Sequence, residues 1–281
     1  MSMERIVVVC QVRTGSRRLP HKVLLPLAGR PLVVRFLERV SRCRLASDIV
    51  VATTTDPEDD VIEELCTHEG YEVYRGHPTD LLDRHYQVGR MKGADAIVKV
   101  PSDCPLIDPD VIDAVIACYR SSNGMLDYVS NLHPPTWPDG NDVEVMRMGA
   151  LENAWQRANR PFEREHTTPW FWNENPDIRL ENVVLPSGLD LSAQHRWTID
   201  YPEDYILLKA VFDDLYHVQP RFTTNDVLAY LDAHPEVRAV NAHLRGVCWY
   251  GDHLAELPTI DPKTVRLPLL PRPDQPWNTA S

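Results

Sequence analysis

The stretch RTGSRRLPHK, from Arg13 to Lys22, carries four cationic side chains and no acidic one, directly after the apolar run IVVVC of residues 6–10. A loop of glycine, serine and arginine at the end of a strand is a way to hold phosphate, because backbone N–H groups and cations converge on the anion. Arginine offers forked donors to phosphate oxygens, whereas Lys22 offers a flexible point charge. Two carboxylates also fall at strand-like ends: Asp103, past AIVKV of residues 96–100, and Asp200, closing RWTID of residues 196–200. Such a pair facing a triphosphate on the basic loop makes a site for Mg2+, which favours a few carboxylates together with phosphate oxygens and water. Each feature alone has a plainer reading, the loop as a solvated turn and each aspartate as a helix cap. Taken together they favour phosphate chemistry. The loop matches neither G-x-x-x-x-G-K-[ST] nor G-x-G-x-x-G, so it is neither a P-loop nor a dinucleotide fingerprint.

The elements that must position these groups alternate. Residues 6–10, 49–53, 71–74 and 96–100 are apolar enough to be buried on both faces of a parallel sheet. Between them, Leu32, Val33, Phe36, Leu37 and Val40 recur at helical spacing after Pro31. Asp56-Pro57 is expected to cap a helix through Leu65, Thr79 one that stops at Gly93, and Asp108-Pro109 to start a fourth. This alternation predicts an α/β fold with right-handed crossovers and a doubly wound, mostly parallel sheet, whose ligands gather at the carboxyl ends of the strands. The pattern changes near residue 125. A short strand over 142–146 and a helix around 151–158 read as an inserted α+β subdomain, about 128–192, able to form a lid or an oligomer contact. A strand ending in residues 196–200, then helices near 201–216 and 225–233, close a main domain of residues 1–245. Six prolines follow Arg245, and residues 246–281 read as an extended tail.

Composition narrows the class. The 281 residues are 43% hydrophobic and 25% charged, the profile of a soluble globular protein. No apolar run approaches the roughly 20 residues of a membrane span, and the amino terminus has no cleavable-leader pattern, so a cytoplasmic protein without a membrane partner is expected. Six cysteines without a C-x-x-C pair point to reduced thiols, not zinc or disulfides. A net charge of −12 argues against nucleic acid as a partner. Ten Lys or Arg against two Glu in residues 1–45 place a local +8 there, which points to a small anion held near the amino terminus.

Seven segments in this order, RTGSRRLPHK (13–22), ATTTD (52–56), YRGHPTDLLDR (74–84), SDCPLID (102–108), DGNDVEV (139–145), EREHTT (163–168) and HRWTIDYPED (195–204), resemble the SpsF-like branch of the cytidylyltransferases. Those are related to the synthetases that activate 3-deoxy-octulosonate and sialic acids as CMP-sugars. The resemblance implies a Rossmann-like nucleotidyltransferase fold and a reaction in which CTP and an acceptor oxygen give a CMP-conjugate and pyrophosphate. It implies that Arg13, Ser16, Arg18 and Lys22 hold the triphosphate, with Gly15 allowing close backbone approach. Thr54, Arg75 and Ser102 fall in the nucleotide-binding segments. Arg13, Lys22 and Asp103 carry catalysis, Asp103 and Asp200 hold Mg2+, and Asp139, Asp142, Glu144, Glu165, His166 and Arg196 are the acceptor-binding candidates. CTP and a small anionic or sugar-like acceptor are the implied partners. A homodimer is expected, with the insertion, Trp249 and Trp277 offering surfaces for it. His21, where the family usually has Gly before the Lys, and Ser102, where Gly usually precedes the Asp, depart from the pattern.

Two other readings stay open. A nucleotide-sugar-dependent glycosyltransferase would favour a D-x-D metal motif where this chain has SDC. A catalytically silent nucleotide-binding homologue is kept open by the two departures, against which stand Lys22, Asp103 and Asp200.

Overall fold

The computed structural model describes residues 4–267. Its strands are β1 (Ile6–Gln11), β2 (Pro26–Leu27), β3 (Arg30–Pro31), β4 (Asp48–Thr54), β5 (Glu72–Gly76), β6 (Ala96–Pro101), β7 (Tyr128–Ser130), β8 (Glu144–Arg147) and β9 (Leu180–Asn182). The helices are α1 (Leu32–Val40), α2 (Asp60–His68), α3 (Leu81–Lys92), α4 (Pro109–Ser121), α5 (Met148–Arg157), α6 (Pro161–His166), α7 (Pro169–Trp172), α8 (Pro202–Val218), α9 (Thr224–Ala233) and α10 (Pro235–Ala239). Seven strands form one sheet in the order β5-β4-β1-β6-β8-β7-β9, while β2 and β3 make a small separate hairpin. β5, β4, β1 and β6 run parallel, and β8 pairs antiparallel with both β6 and β7.

Burial on both faces explains why these apolar runs become central strands. Ile6, Val8 and Cys10 share a core cluster with Phe36 of α1 and Ile116 of α4, and Val7 and Val9 join Leu82 of α3 and Leu151 of α5 on the other side. All of these side chains are fully buried, each apolar one stabilising the fold by roughly 1.5–3 kcal/mol. No helix among the described residues is long and apolar enough to cross a membrane.

Several local expectations need correction. Asp80, not Thr79, caps α3: its side chain accepts from the Asp83 N–H at 2.9 Å, and Gly93 ends the helix in the left-handed region. Asp56 makes no side-chain cap, and a short 3-10 turn, Pro57–Asp59, precedes α2. Residues 196–200 are not a strand. The place beside β6 is taken by β8, so this segment meets that side of the sheet beyond the strand, through Ile199 N–H to Asp103 O at 2.8 Å, and runs beside residue 139, through Trp197 N–H to Asp139 O at 2.7 Å. Strands β7 to β9, from the stretch about 128–192, lie within the main sheet, so this stretch extends the sheet and is not a body apart. Residues 246–267 are not a free extended tail. They contain 3-10 turns at Trp249–Glu256 and Pro262–Thr264, and Leu257 is completely buried in the α3/α5 cluster. Trp277 lies outside the described residues.

Candidate active site

The basic loop leaves β1 at the carboxyl edge of the sheet and is fastened by a residue that sequence reasoning assigned to a helix. Asp59, almost fully buried, accepts from Thr14 N–H and Thr14 Oγ1–H at 2.7 Å each, and from Thr54 Oγ1–H at the end of β4. Burial alone would raise its pKa, but these donors from Thr54 and Thr14 hold it below the usual carboxylate value. Within the loop Ser16 Oγ accepts from Leu19 N–H at 3.3 Å, and His21 adopts φ 55°, ψ 21°. A glycine enters that left-handed region without steric cost, which accounts physically for the family's preference there. A Cβ on Gly15 would meet nothing within 4 Å, so the loop faces open space at this point.

From the loop, Lys22 reaches inward to the end of β6. Its ammonium donates to Ile199 O at 2.6 Å and Asp200 Oδ1 at 2.9 Å, and lies 3.6 Å from Asp103 Oδ2. Arg18 Nη2 lies 2.7 Å from the same Asp200 oxygen. Burial works against the charge on Lys22, yet Asp200 and Asp103 outweigh it and raise the pKa, so the lysine stays cationic. Burial likewise raises the Asp200 pKa, but Lys22, Arg18 and Arg196 overcome it and hold the carboxylate down at about 2. Asp103 is different: its side chain is 35% exposed, lies 3.6 Å from Lys22 and has the Cys104 thiol at 3.7 Å.

A cavity of about 110 Å3 opens where the start of the loop meets the end of β4, lined by Arg13, Gly15, Thr54, Asp56, Asp59 and Thr79 among others. A neighbouring cavity of about 240 Å3, lined by His77, Thr79, Asp80, Pro161, Arg164 and Glu165, shares Thr79 with it. Ser102 is nearly buried where β6 ends. Arg75 stands outside both cavities. It pairs with Asp60 and Glu63 at 2.7 and 2.8 Å and donates to the carbonyls of Thr54 and Asp56, bracing the wall from behind.

The acceptor candidates divide. Asp139 and Asp142 are near enough to Asp103 to feel its charge. Burial raises both above the carboxylate range; Arg196 opposes the rise at Asp139 while Asp204, Asp200 and Asp103 add to it, and Asp139 and Asp103 help push Asp142 up to about 8. Glu165 lines the second cavity, and Arg164 there is already paired with Asp80 at 2.6 Å. The His166 ring stacks on Trp249. Two candidates are turned inward, contrary to expectation. Glu144 is 2% exposed and satisfied by Lys99 and by Tyr128 O–H at 2.6 Å. The Arg196 side chain is 1% exposed and saturated by Asp204, Asp200, Asp139 and Val247 O. An ion pair bought inside a core needs every donor used, and Arg196 is spent on the fold. Asp204 anchors that network, also accepting from the N–H groups of Asp200 and Tyr201 and from Asn241. Asp59, Asp204 and Lys99 were not among the expected site residues, and of these only Asp204 had a visible signal, its place inside YPED; Trp249, expected at a dimer surface, lies against His166.

Residues 7–215 match the family model described as cytidylyltransferase. The chain is 40% identical over 211 residues to the 3-deoxy-manno-octulosonate cytidylyltransferase of Geobacter sulfurreducens, covering 72% of this chain and 78% of that protein. It is 28% identical to the Bacillus subtilis spore coat polysaccharide biosynthesis protein SpsF, covering 83% and 97% respectively. A solved cytidylyltransferase from Leptospira borgpetersenii superposes with a TM-score of 0.78 at 28% identity, covering 83% of this chain and 96% of that one. The sheet order and this likeness make the fold the Rossmann-like nucleotidyltransferase fold. With the match spanning most of the sheet and every segment of the basic loop, this chain belongs to the cytidylyltransferase family, a family of nucleotidyltransferases.

Proposed function

We propose that this protein transfers the cytidylyl group of CTP to an oxygen of a sugar-like acid, releasing pyrophosphate. The observation that carries the reading is the convergence of Asp103 and Asp200 on Lys22 and Arg18, cations of the same basic loop whose Arg13 and Gly15 line a cavity with Thr54. Arg13, Arg18 and Lys22 bind the triphosphate, Gly15 lets its oxygens approach the backbone, and Ser16 shapes the turn that presents them. Thr54 and Ser102 flank the nucleoside, with Arg75 stiffening the wall. An acceptor oxygen attacks the α-phosphorus in line while the pyrophosphate leaves against the cations, so catalysis is positioning and charge neutralisation. Asp139, Asp142, Glu165 and His166 supply the acceptor side.

The residues fit Mg2+. Among the described residues no three His, Cys, Asp or Glu side chains are grouped to hold a metal unaided. Asp103, part exposed, offers one carboxylate and Asp200 a second, which suits a cation that brings phosphate oxygens and water as its other ligands. Such an ion would neutralise the triphosphate and its leaving group.

The test is pyrophosphate release with CTP, UTP, GTP or ATP, Mg2+, and a panel of N-acetylneuraminate, 3-deoxy-manno-octulosonate, amino sugars and phosphonates. CTP-selective release with an acid acceptor is expected. Silence with every pair, alongside sugar transfer from a nucleotide sugar, would overturn the assignment.

A further inference from the structure

Residues 246–267 lie beyond the 7–215 shared with the family, yet they are bound firmly to the site's acceptor side. Val247 O accepts from Arg196 Nη1–H at 2.7 Å, Arg266 N–H donates to Gly246 O at 2.7 Å, and Asn173 Nδ2–H donates to Glu256 O at 2.9 Å. So fastened, the strap carries two aromatic rings to fixed places. The Trp249 ring lies 3.6 Å from that of His166 and nearly parallel to it, at 9°. The Tyr250 ring lies 4.5 Å from Trp249, 5.7 Å from Trp172 and 6.3 Å from His133.

The contact with Trp249 uses the face of the imidazole and leaves its edge. His166 makes no ring-nitrogen hydrogen bond among the described residues, while Arg13 and Arg18 of the basic loop are near enough to act on its charge. Burial, with Lys99 and those cations, keeps the ring neutral, with one nitrogen a donor and the other an acceptor. The His253 ring stands edge-on to it at 6.2 Å. A half-buried neutral imidazole with a fixed plane is suited to exchanging hydrogen bonds with hydroxyls. Next to Tyr250, His133 Nε2 is a buried nitrogen without a hydrogen-bond partner.

We infer that the C-terminal strap completes the acceptor subsite, with Trp249 as a positioning residue that fixes the plane of His166 for a polyhydroxylated acceptor, and Tyr250 as the adjoining wall. This rests on the cytidylyl-transfer reading above. It adds that acceptor choice is governed from outside the shared family region.

The experiment compares wild type with Trp249→Ala, Trp249→Phe, His166→Gln and the double variant Trp249→Ala/His166→Gln. Steady-state pyrophosphate release is measured with CTP and whichever of N-acetylneuraminate or 3-deoxy-manno-octulosonate has the higher kcat/KM, and CTP binding by calorimetry. Trp249→Ala is expected to raise the acceptor KM about tenfold with CTP affinity within twofold of wild type, and Trp249→Phe to restore most of the loss. The double variant should be no worse than the worse single one, since both changes remove the same oriented ring. Unchanged acceptor KM, additive losses, or a parallel loss of CTP affinity would overturn the proposal. Wild type that binds CTP but turns over neither acid would overturn the polyhydroxylated-acid subsite, and wild type that does not bind CTP would instead sink the underlying reading.

Discussion

Asp200 and Asp103 sit around one ammonium, yet their replacement by asparagine should have unlike consequences. Asp200 is the buried partner of three cations, at 2.9 Å from Lys22, 2.7 Å from Arg18 and 3.5 Å from Arg196. Its side chain and that of Lys22 are each 11% exposed. Removing one member of a buried ion pair costs about 3–5 kcal/mol, because the other charge is left desolvated. Lys22 keeps Ile199 O at 2.6 Å, so the low end, about 3 kcal/mol, applies to Asp200→Asn. At ~2–4 °C per kcal/mol, Tm should fall by roughly 6–12 °C. Asp103 is 35% exposed and 3.6 Å from the ammonium. Asp103→Asn should therefore cost at most about 1 kcal/mol, as exposed pairs do, while still abolishing Mg2+-dependent turnover. Differential scanning calorimetry with pyrophosphate release on the same preparations checks both. Inorganic tripolyphosphate should raise the Tm of Asp200→Asn by more than that of wild type, since it answers the orphaned cations. Equal Tm values for the two variants, or full turnover by Asp103→Asn, would refute the division of roles.

Other outcomes follow from the same geometry. Asp59→Ala removes the acceptor of Thr14 and Thr54, so stability should fall by about 1–3 kcal/mol and the KM for CTP rise in the pyrophosphate assay. At Gly140, φ is +107° and a Cβ would lie 2.7 Å from the Trp197 carbonyl carbon; Gly140→Ala should cost at least the roughly 1–3 kcal/mol of a strained backbone by urea titration. His21→Gly, relieving φ 55°, should raise stability by about 1 kcal/mol without loss of turnover. His85 is fully buried, and burial lowers its pKa to about 3 from an ordinary 6.5. A lowered histidine pKa means the unfolded chain takes up the proton first, so its contribution is intact above pH 6.5 and is lost as pH falls towards 3. By pH 5 this amounts to about 2 kcal/mol, and His85→Gln should flatten the measured slope of stability between pH 6.5 and 5.

Central strands were legible because Ile6–Gln11 and Ala96–Pro101 are buried on both faces, and a continuous apolar run records that in the residues themselves. The same local logic located Asp108 as the cap of α4 and Gly93 as the end of α3. It failed over 196–200, whose apolar alternation resembles a strand; whether such a segment joins a sheet depends on whether β8 already occupies the place beside β6. It failed for Arg196 and Glu144, since charge invites a ligand until Asp204 and Lys99 are seen to answer it inside the core.

By itself, then, the sequence determined the alternating α/β pattern, the concentration of cations after β1 and the carboxylates at later strand ends. These are properties of residue type and short-range spacing, and the seven segments in their order carried the family resemblance. Tertiary structure decided which charges face outward and which are consumed within the fold, because burial and pairing join residues such as Lys22 and Asp200, 178 positions apart. It also brought Trp249 onto His166, a contact that no periodicity encodes and that only the path of the closing strap creates.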